Sequence, residues 1–295
     1  MNNHAIIVTA DYKLLPGVKA LINGIKYYGN EADFYLLFWD KPDGDFHQYV
    51  DSNLRSLDFV FPIDLRELVH DESIRVEESV QVHAEANAKF YLKFWRHYYP
   101  AKLLDYDSIA IFDADMLICN NIMDYFEIAN KTGRILIPRN TGIYAQEIDN
   151  YSETAFSQSY APPCHSMPLF YDPKKHHEFF SLVPELARKI GRGEMVAINY
   201  LFHKFSKYQD LILLPNSLWL GTRWSDLNYE ILYGNKGMRH ITAAGDRCFS
   251  IHGRWWTDEW IKKIPSSDDV GMNNGLLFQE MFTWLGQLYE GVNNE

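Results

Sequence analysis

The segment Ser108-Ile109-Ala110-Ile111-Phe112 runs directly into Asp113-Ala114-Asp115, placing two carboxylates one residue apart. Two acids so close resist joint ionisation unless a cation or a donor neutralises them. Hard oxygen ligands of this kind suit magnesium or manganese, the ions that meet nucleotide phosphates. His252 is the candidate third ligand, at the end of a late apolar run and followed by Gly253, Arg254, Trp255 and Trp256. Two carboxylates and an imidazole leave places in an octahedral shell for two phosphate oxygens and water. Arg254, or Lys262 further on, would then meet a phosphate as it departs. Each piece alone has an ordinary reading, the triplet as loop acids facing water and the histidine as a structural residue.

Two further groups extend the candidate site. Thr9-Ala10-Asp11-Tyr12-Lys13 follows the first apolar run, and its hydroxyl, carboxylate and ring fit a base edge, a ribose hydroxyl and a base face. An ordinary turn between strand and helix explains the same residues. Lys89, Lys93 and Arg96 share one side of a candidate helix, either as a solvated face or with Arg96 against a diphosphate or donor sugar. Six of the eight Trp lie in the last third, and of five of them, at 219, 224, 255, 256 and 260, one or two are expected to touch substrate.

These residues need a sheet to hold them. Ala5 to Ala10 is almost wholly apolar and reads as a strand buried on both faces. Leu14 to Tyr28 carries apolar residues at helical spacing, with Pro16 near its start and Gly29 past its end. Phe34 to Trp39 completes a βαβ unit, which predicts a parallel sheet. A helix follows over 46–57, then a short strand at Phe59–Phe61 stopped by Pro62, and a long helix from Glu85 to Leu104 that Pro100 ends or kinks. That helix delivers the chain to the strand before Asp113. Further strands are predicted at Arg134–Ile137, Leu169–Tyr171, Leu211–Leu214 and Cys248–Ile251, with helices at Lys174–Ile190, Met195–Phe205 and 275–290. In an open α/β sheet, ligands bind outside the carboxyl ends of the strands, where Thr9–Tyr12 and Asp113–Asp115 would lie. The stretch 139–166 is polar and aromatic without periodicity and reads as a loop over the site or as a disordered segment.

With 295 residues the chain has room for one large α/β domain or two smaller ones, and the absence of a Pro- or Gly-rich linker favours one compact unit. A net charge of −11 argues against unspecific binding to nucleic acid or anionic membranes. Cys119, Cys164 and Cys248 lack metal-type spacing and suit a reducing compartment. The N-terminus does not read as a signal peptide and no window is apolar enough for a membrane span, so a soluble, cytoplasmic protein is expected. Neither a glycine-rich dinucleotide fingerprint nor a P-loop follows the first strand.

In this order the motifs resemble the GT-A glycosyltransferases, most closely glycosyltransferase family 8, which includes glycogenin and bacterial galactosyltransferases. The resemblance runs from about Ala5 to His252 and rests on Ile7-Val8-Thr9-Ala10-Asp11, Arg96, the Tyr106–Asp115 segment and His252. It implies a Rossmann-like, mostly parallel sheet flanked by helices, with a nucleotide-binding half over about 1–120 and an acceptor side over about 121–295. It also implies that Asp113, Asp115 and His252 hold Mn2+ (or Mg2+) on a nucleotide-diphosphate sugar. Thr9, Asp11 and Tyr12 would then surround the nucleoside, the Ala114 backbone would approach the ribose, and Arg96 would match the family's upstream basic residue.

The chain departs from the family pattern at three places. His165-Ser166-Met167 stands for Asn-Ser/Ala-Gly, Glu194-Met195 stands for Asp-Gln ahead of Ile198-Asn199, and Arg254-Trp255-Trp256 stands for Lys-Pro-Trp. The expected activity is transfer of a sugar from a UDP-sugar, or a GDP-sugar, to a glycan or other hydroxyl acceptor, with retention at the anomeric carbon. Glu194 is the candidate carboxylate near that carbon, and Arg254 the candidate that assists departure. Two rivals stand beside this reading. HAD-like phosphatases also place Asp-x-Asp after a strand, though near the N-terminus, and a non-catalytic sugar-nucleotide- or glycan-binding module would share the donor site.

Overall fold

The computed structural model describes residues 2–39, 44–71, 88–139, 164–190, 194–215, 217–221, 227, 229–234, 237–253 and 269–287. The first elements are β1 (His4–Asp11), α1 (Leu15–Tyr27), β2 (Asp33–Trp39), α2 (Asp45–Tyr49), β3 (Val60–Asp64), α3 (Leu65–Leu68) and α4 (Ala88–Tyr98). The middle of the chain forms β4 (Ser108–Asp113), β5 (Met116–Ile118), α5 (Met123–Thr132), β6 (Ile135–Pro138), β7 (Leu169–Tyr171), α6 (Pro173–Phe180), α7 (Val183–Ile190) and α8 (Glu194–Lys204). It continues through β8 (Leu211–Leu214), β9 (Trp219–Gly221), β10 (Glu230–Tyr233), β11 (Arg239–Ala243), β12 (Asp246–Cys248), β13 (Ser250–His252) and α9 (Asp269–Gln287).

The central sheet has seven strands in the order β3-β2-β1-β4-β7-β6-β8. All run parallel to their neighbours except β7, which is antiparallel to both β4 and β6. Ala5 to Val8 and Ile109 to Phe112 are fully buried, as strands covered by helices on both faces must be. Each such Ile, Val or Phe contributes roughly 1.5–3 kcal/mol by leaving water. After β1 the chain builds outward through β2 and β3, then returns to the other side of β1 with β4. This reversal opens a crevice between the carboxyl ends of β1 and β4. Their register pairs Val8 with Phe112 and Thr9 with Asp113, so the two candidate ligand-binding segments are neighbours.

Two small sheets complete the fold, β5-β13-β9 and the antiparallel β10-β11-β12. β5 leaves the central sheet directly after Asp115 and pairs antiparallel with β13, bringing Met116 opposite His252. α1 lies so close over β5 that a Cβ on Gly24 would stand 2.5 Å from the Ile118 carbonyl oxygen.

Several elements differ from the sequence expectation. The third strand continues through Pro62 to Asp64, because β3 is an edge strand and a missing N–H is tolerated there. The helix over 46–57 is an α-helical turn followed by a π-helical turn, Val50–Leu54. The described part of the long helix before the acidic pair ends at Tyr98 in a 3-10 turn around Pro100. The helix over Lys174–Ile190 is two helices, α6 and α7. The late strand is also two, and the chain changes sheets at Phe249, whose N–H donates to Leu218 O and whose carbonyl accepts from Cys119 N–H. Strands β5, β9, β10, β11 and helices α3 and α5 were not read from the sequence. No helix among the described residues is long and apolar enough to cross a membrane.

Candidate metal centre and active site

Asp113 ends β4, Asp115 stands just before β5, and His252 ends β13. The antiparallel pairing of β5 with β13, extended by a Gly253 N–H to Asp115 O hydrogen bond of 3.0 Å, folds His252 back over the acidic pair. One ligand atom from each of the three residues lies within 4.8 Å of the other two. His252 Nε2 is 3.2 Å from Asp115 Oδ1 and 3.7 Å from Asp113 Oδ2. Two carboxylates converging with one imidazole are a hard, mixed oxygen–nitrogen donor set, which fits manganese or magnesium.

Behind the acids lies a buried ionic network. Arg96 on α4 is fully buried and each of its three guanidinium nitrogens has a carboxylate partner. NH1 donates to Asp113 Oδ1 at 2.6 Å, Nε donates to Glu194 Oε1 at 3.0 Å, and NH2 donates to Glu194 Oε2. Glu194 also accepts from His97 Nε2, one residue along α4. Lys93, a turn earlier on α4, holds its Nζ 4.0 Å from Asp113 Oδ1. Both Asp113 contacts fall on Oδ1, while Oδ2 faces His252.

This arrangement sets the ionisation of each group. Burial opposes a charge on Asp113, but Arg96, then Lys93 and His252, outweigh it and hold the carboxyl well below its usual range. Burial likewise opposes ionised Glu194, yet Arg96 and His97 pull it down to about 2. Arg96 is pushed up despite burial by the same two carboxylates. His252 is raised, because Asp115 and Asp113 overcome the cost of burying its charge.

His165 and Trp219 pack beside His252. The His165 ring centroid is 4.5 Å from Trp219 and 5.8 Å from His252. Burial, with His252 adding to it, pushes His165 down to about 4, so it is neutral near pH 7. Its loop is held by Asn199 on α8, which hydrogen-bonds Cys164.

The donor-side candidates sit at the same crevice. Thr9 and Ala114 are buried, and Asp11 is half-buried and accepts from Lys13 N–H at 3.0 Å in a tight turn. Tyr12 follows in a 3-10 turn, Tyr12–Leu14. Glu194 lies one guanidinium away from Asp113. Arg254, Lys262, Trp224, Trp255, Trp256 and Trp260 lie outside the described residues, as does most of the candidate loop, residues 140–163. His97 was missed by the sequence reading, because a histidine inside a helix rich in aromatics looks like core. Its adjacency to Arg96 was the available signal. Trp219 was one of five equivalent candidates until β9 placed it beside β13.

No family model and no curated protein matches this sequence. Solved structures do. One is a galactosyltransferase, LgtC, in complex with donor and acceptor sugar analogues, at 12% identity and a TM-score of 0.58, covering 95% of each chain. A second is the bifunctional glycosyltransferase WbbM without ligand, at 12% identity and a TM-score of 0.54, where 96% of this chain spans 51% of that one. A third is mouse xyloside xylosyltransferase 1, at 14% identity and a TM-score of 0.52, covering 85% of this chain and 97% of that one. The likeness establishes the fold, a mostly parallel GT-A sheet flanked by helices.

Proposed function

We propose that this chain is a metal-dependent glycosyltransferase that moves a sugar from a nucleotide-diphosphate donor, a UDP-sugar before a GDP-sugar, to a glycan or other hydroxyl acceptor. The observation that carries this reading is the convergence of Asp113, Asp115 and His252 at the carboxyl-end crevice between β1 and β4. The shared fold adds support, since the LgtC structure holds donor and acceptor sugar analogues. Asp113 Oδ2, Asp115 and His252 would hold Mn2+ (or Mg2+), which when bound supplies positive charge to a departing diphosphate.

The chain's own groups do the rest. Thr9, Asp11 and Tyr12 bind the nucleoside, and the Ala114 backbone approaches the ribose. Arg96, locked between Asp113 and Glu194, orients the first acid. Glu194 acts through Arg96 on the face nearest the donor sugar. Neutral His165 against Trp219 offers an aromatic wall to a sugar ring. Arg254 meets the leaving group. The acceptor hydroxyl attacks the face the diphosphate leaves, with retention. In this reading the nucleotide-binding half is about 1–120, and the acceptor side comes from about 121–295.

The test is a thermal-shift panel of UDP, GDP, CDP and ADP, each with and without Mn2+. Stabilisation by one nucleotide only when metal is present is the expected result and names the base. No shift with any nucleotide would overturn the reading and return the phosphatase alternative, and a metal-dependent shift without sugar transfer would favour the binding module.

A further inference from the structure

His97 is fully buried on α4, and its Nε2 reaches Glu194 Oε1. An ionised carboxylate only accepts, so Nε2 must carry the proton. The other ring nitrogen, Nδ1, is buried with no hydrogen-bond partner among the described residues. The ring otherwise lies against Phe180, with centroids 6.3 Å apart. A phenyl ring would fill this place without an orphaned nitrogen, so what the imidazole adds is the single hydrogen bond to Glu194.

That bond bears on how Arg96 divides its donors. Two of its nitrogens go to Glu194, and only NH1 is left for Asp113 Oδ1. Were Glu194 free to rotate, Arg96 would gain by turning a two-nitrogen fork onto Asp113 and engaging both of its oxygens. Oδ2 would then turn away from His252, which it now faces at 3.7 Å.

We propose that His97 is a positioning residue: by pinning Glu194 it keeps Arg96 shared between two carboxylates and leaves Asp113 Oδ2 aimed at His252. Only the consequence for metal binding rests on the glycosyltransferase reading. The hold on Asp113 is a property of the chain alone.

The test uses the full chain without nucleotide. Side-chain carboxyl carbon NMR follows Asp113, assigned by its loss in Asp113→Asn, and Mn2+ affinity is measured in parallel by electron paramagnetic resonance. His97→Phe and His97→Met remove the donor, while His97→Gln keeps one. The donor-less variants should displace the Asp113 resonance and weaken Mn2+ binding about tenfold, as loss of an outer hydrogen bond to a ligand does. His97→Gln should stay near the parent. A folded donor-less variant with parental Asp113 resonance and Mn2+ affinity overturns the proposal. So does a Gln variant displaced as far as Phe, which would reduce His97 to ring packing. Should neither donor-less variant fold, His97→Gln decides by itself: a parental resonance supports the proposal and a displaced one overturns it. A parent that binds no Mn2+ refutes the metal reading, while the Asp113 resonance still decides on His97.

Discussion

Asn199 on α8 binds both backbone polar groups of Cys164, Oδ1 accepting from the N–H at 2.6 Å and Nδ2 donating to the carbonyl at 2.7 Å. The amide thereby does what a neighbouring strand would do for the segment that enters β7. It ties the loop bearing His165 to the helix bearing Glu194, so two sides of the site are fixed by one side chain.

Asn199→Leu conserves volume and removes both bonds, leaving the Cys164 N–H and carbonyl buried and unsatisfied. The expected cost is a fall in melting temperature of roughly 5–15 °C. Circular dichroism melting checks this, and an unchanged melting temperature would mean that the loop holds its place without the clamp.

Asp113→Asn removes a charge that both Arg96 and the candidate metal site depend on. Sugar transfer from the nucleotide identified by thermal shift should fall at least about a hundredfold while the far-ultraviolet circular dichroism stays parental. Full activity in this variant would show that the acidic pair is not the catalytic centre.

Glu194 titrates near 2 in the folded chain, against 4.5 for an ordinary glutamate. A depressed carboxyl contributes stability that is complete above the unfolded value and drains away as pH falls toward the folded one. Unfolding free energy should therefore drop between pH 4.5 and about 2, with Asp113 adding to the slope. Glu194→Gln should be less stable near pH 7 by about 1–3 kcal/mol, since it leaves the buried Arg96 with one carboxylate in place of two, and should show a shallower acid slope. Urea denaturation across this pH range measures both, and an unaltered slope would remove Glu194 from the ionic network.

Gly24→Ala sets a gain in helix propensity of about 1 kcal/mol against a contact 2.5 Å from a backbone oxygen of β5. The strand must shift, so the net change should be a loss of about 1–2 kcal/mol by chemical denaturation. Because β5 carries β13, Mn2+ affinity should fall in the same variant. A stabilised Gly24→Ala protein would show that α1 and β5 separate at no cost.

Much of the central sheet is legible in the chain itself. β1, β2 and β4 are long, almost wholly apolar and separated by helical periodicity, and these are local properties that survive without tertiary contacts. The small sheets escape this reading, because β5, β9 and β13 are three residues each, too short to show a period. Pro62 misled for the opposite reason. Its effect depends on whether the strand lies at an edge, and the strand order decides that.

The same division runs through the site. Consecutive residues alone place two carboxylates at the end of a buried strand, and Thr9 and Asp11 at the end of another, since a strand's length and its terminal residues are local properties. That His252, 137 residues beyond Asp115, folds back onto it comes from the β5–β13 pairing, a long-range contact no local pattern encodes. Likewise, only packing of α4 beside the first turn of α8 set Glu194 on Arg96, 98 residues away. Read along the chain, Arg96 is a basic residue on a helix face and free to meet a phosphate. In the fold it is a buried strut between two acids, because a guanidinium taken out of water must find carboxylates, and Asp113 and Glu194 supply them from outside its own helix.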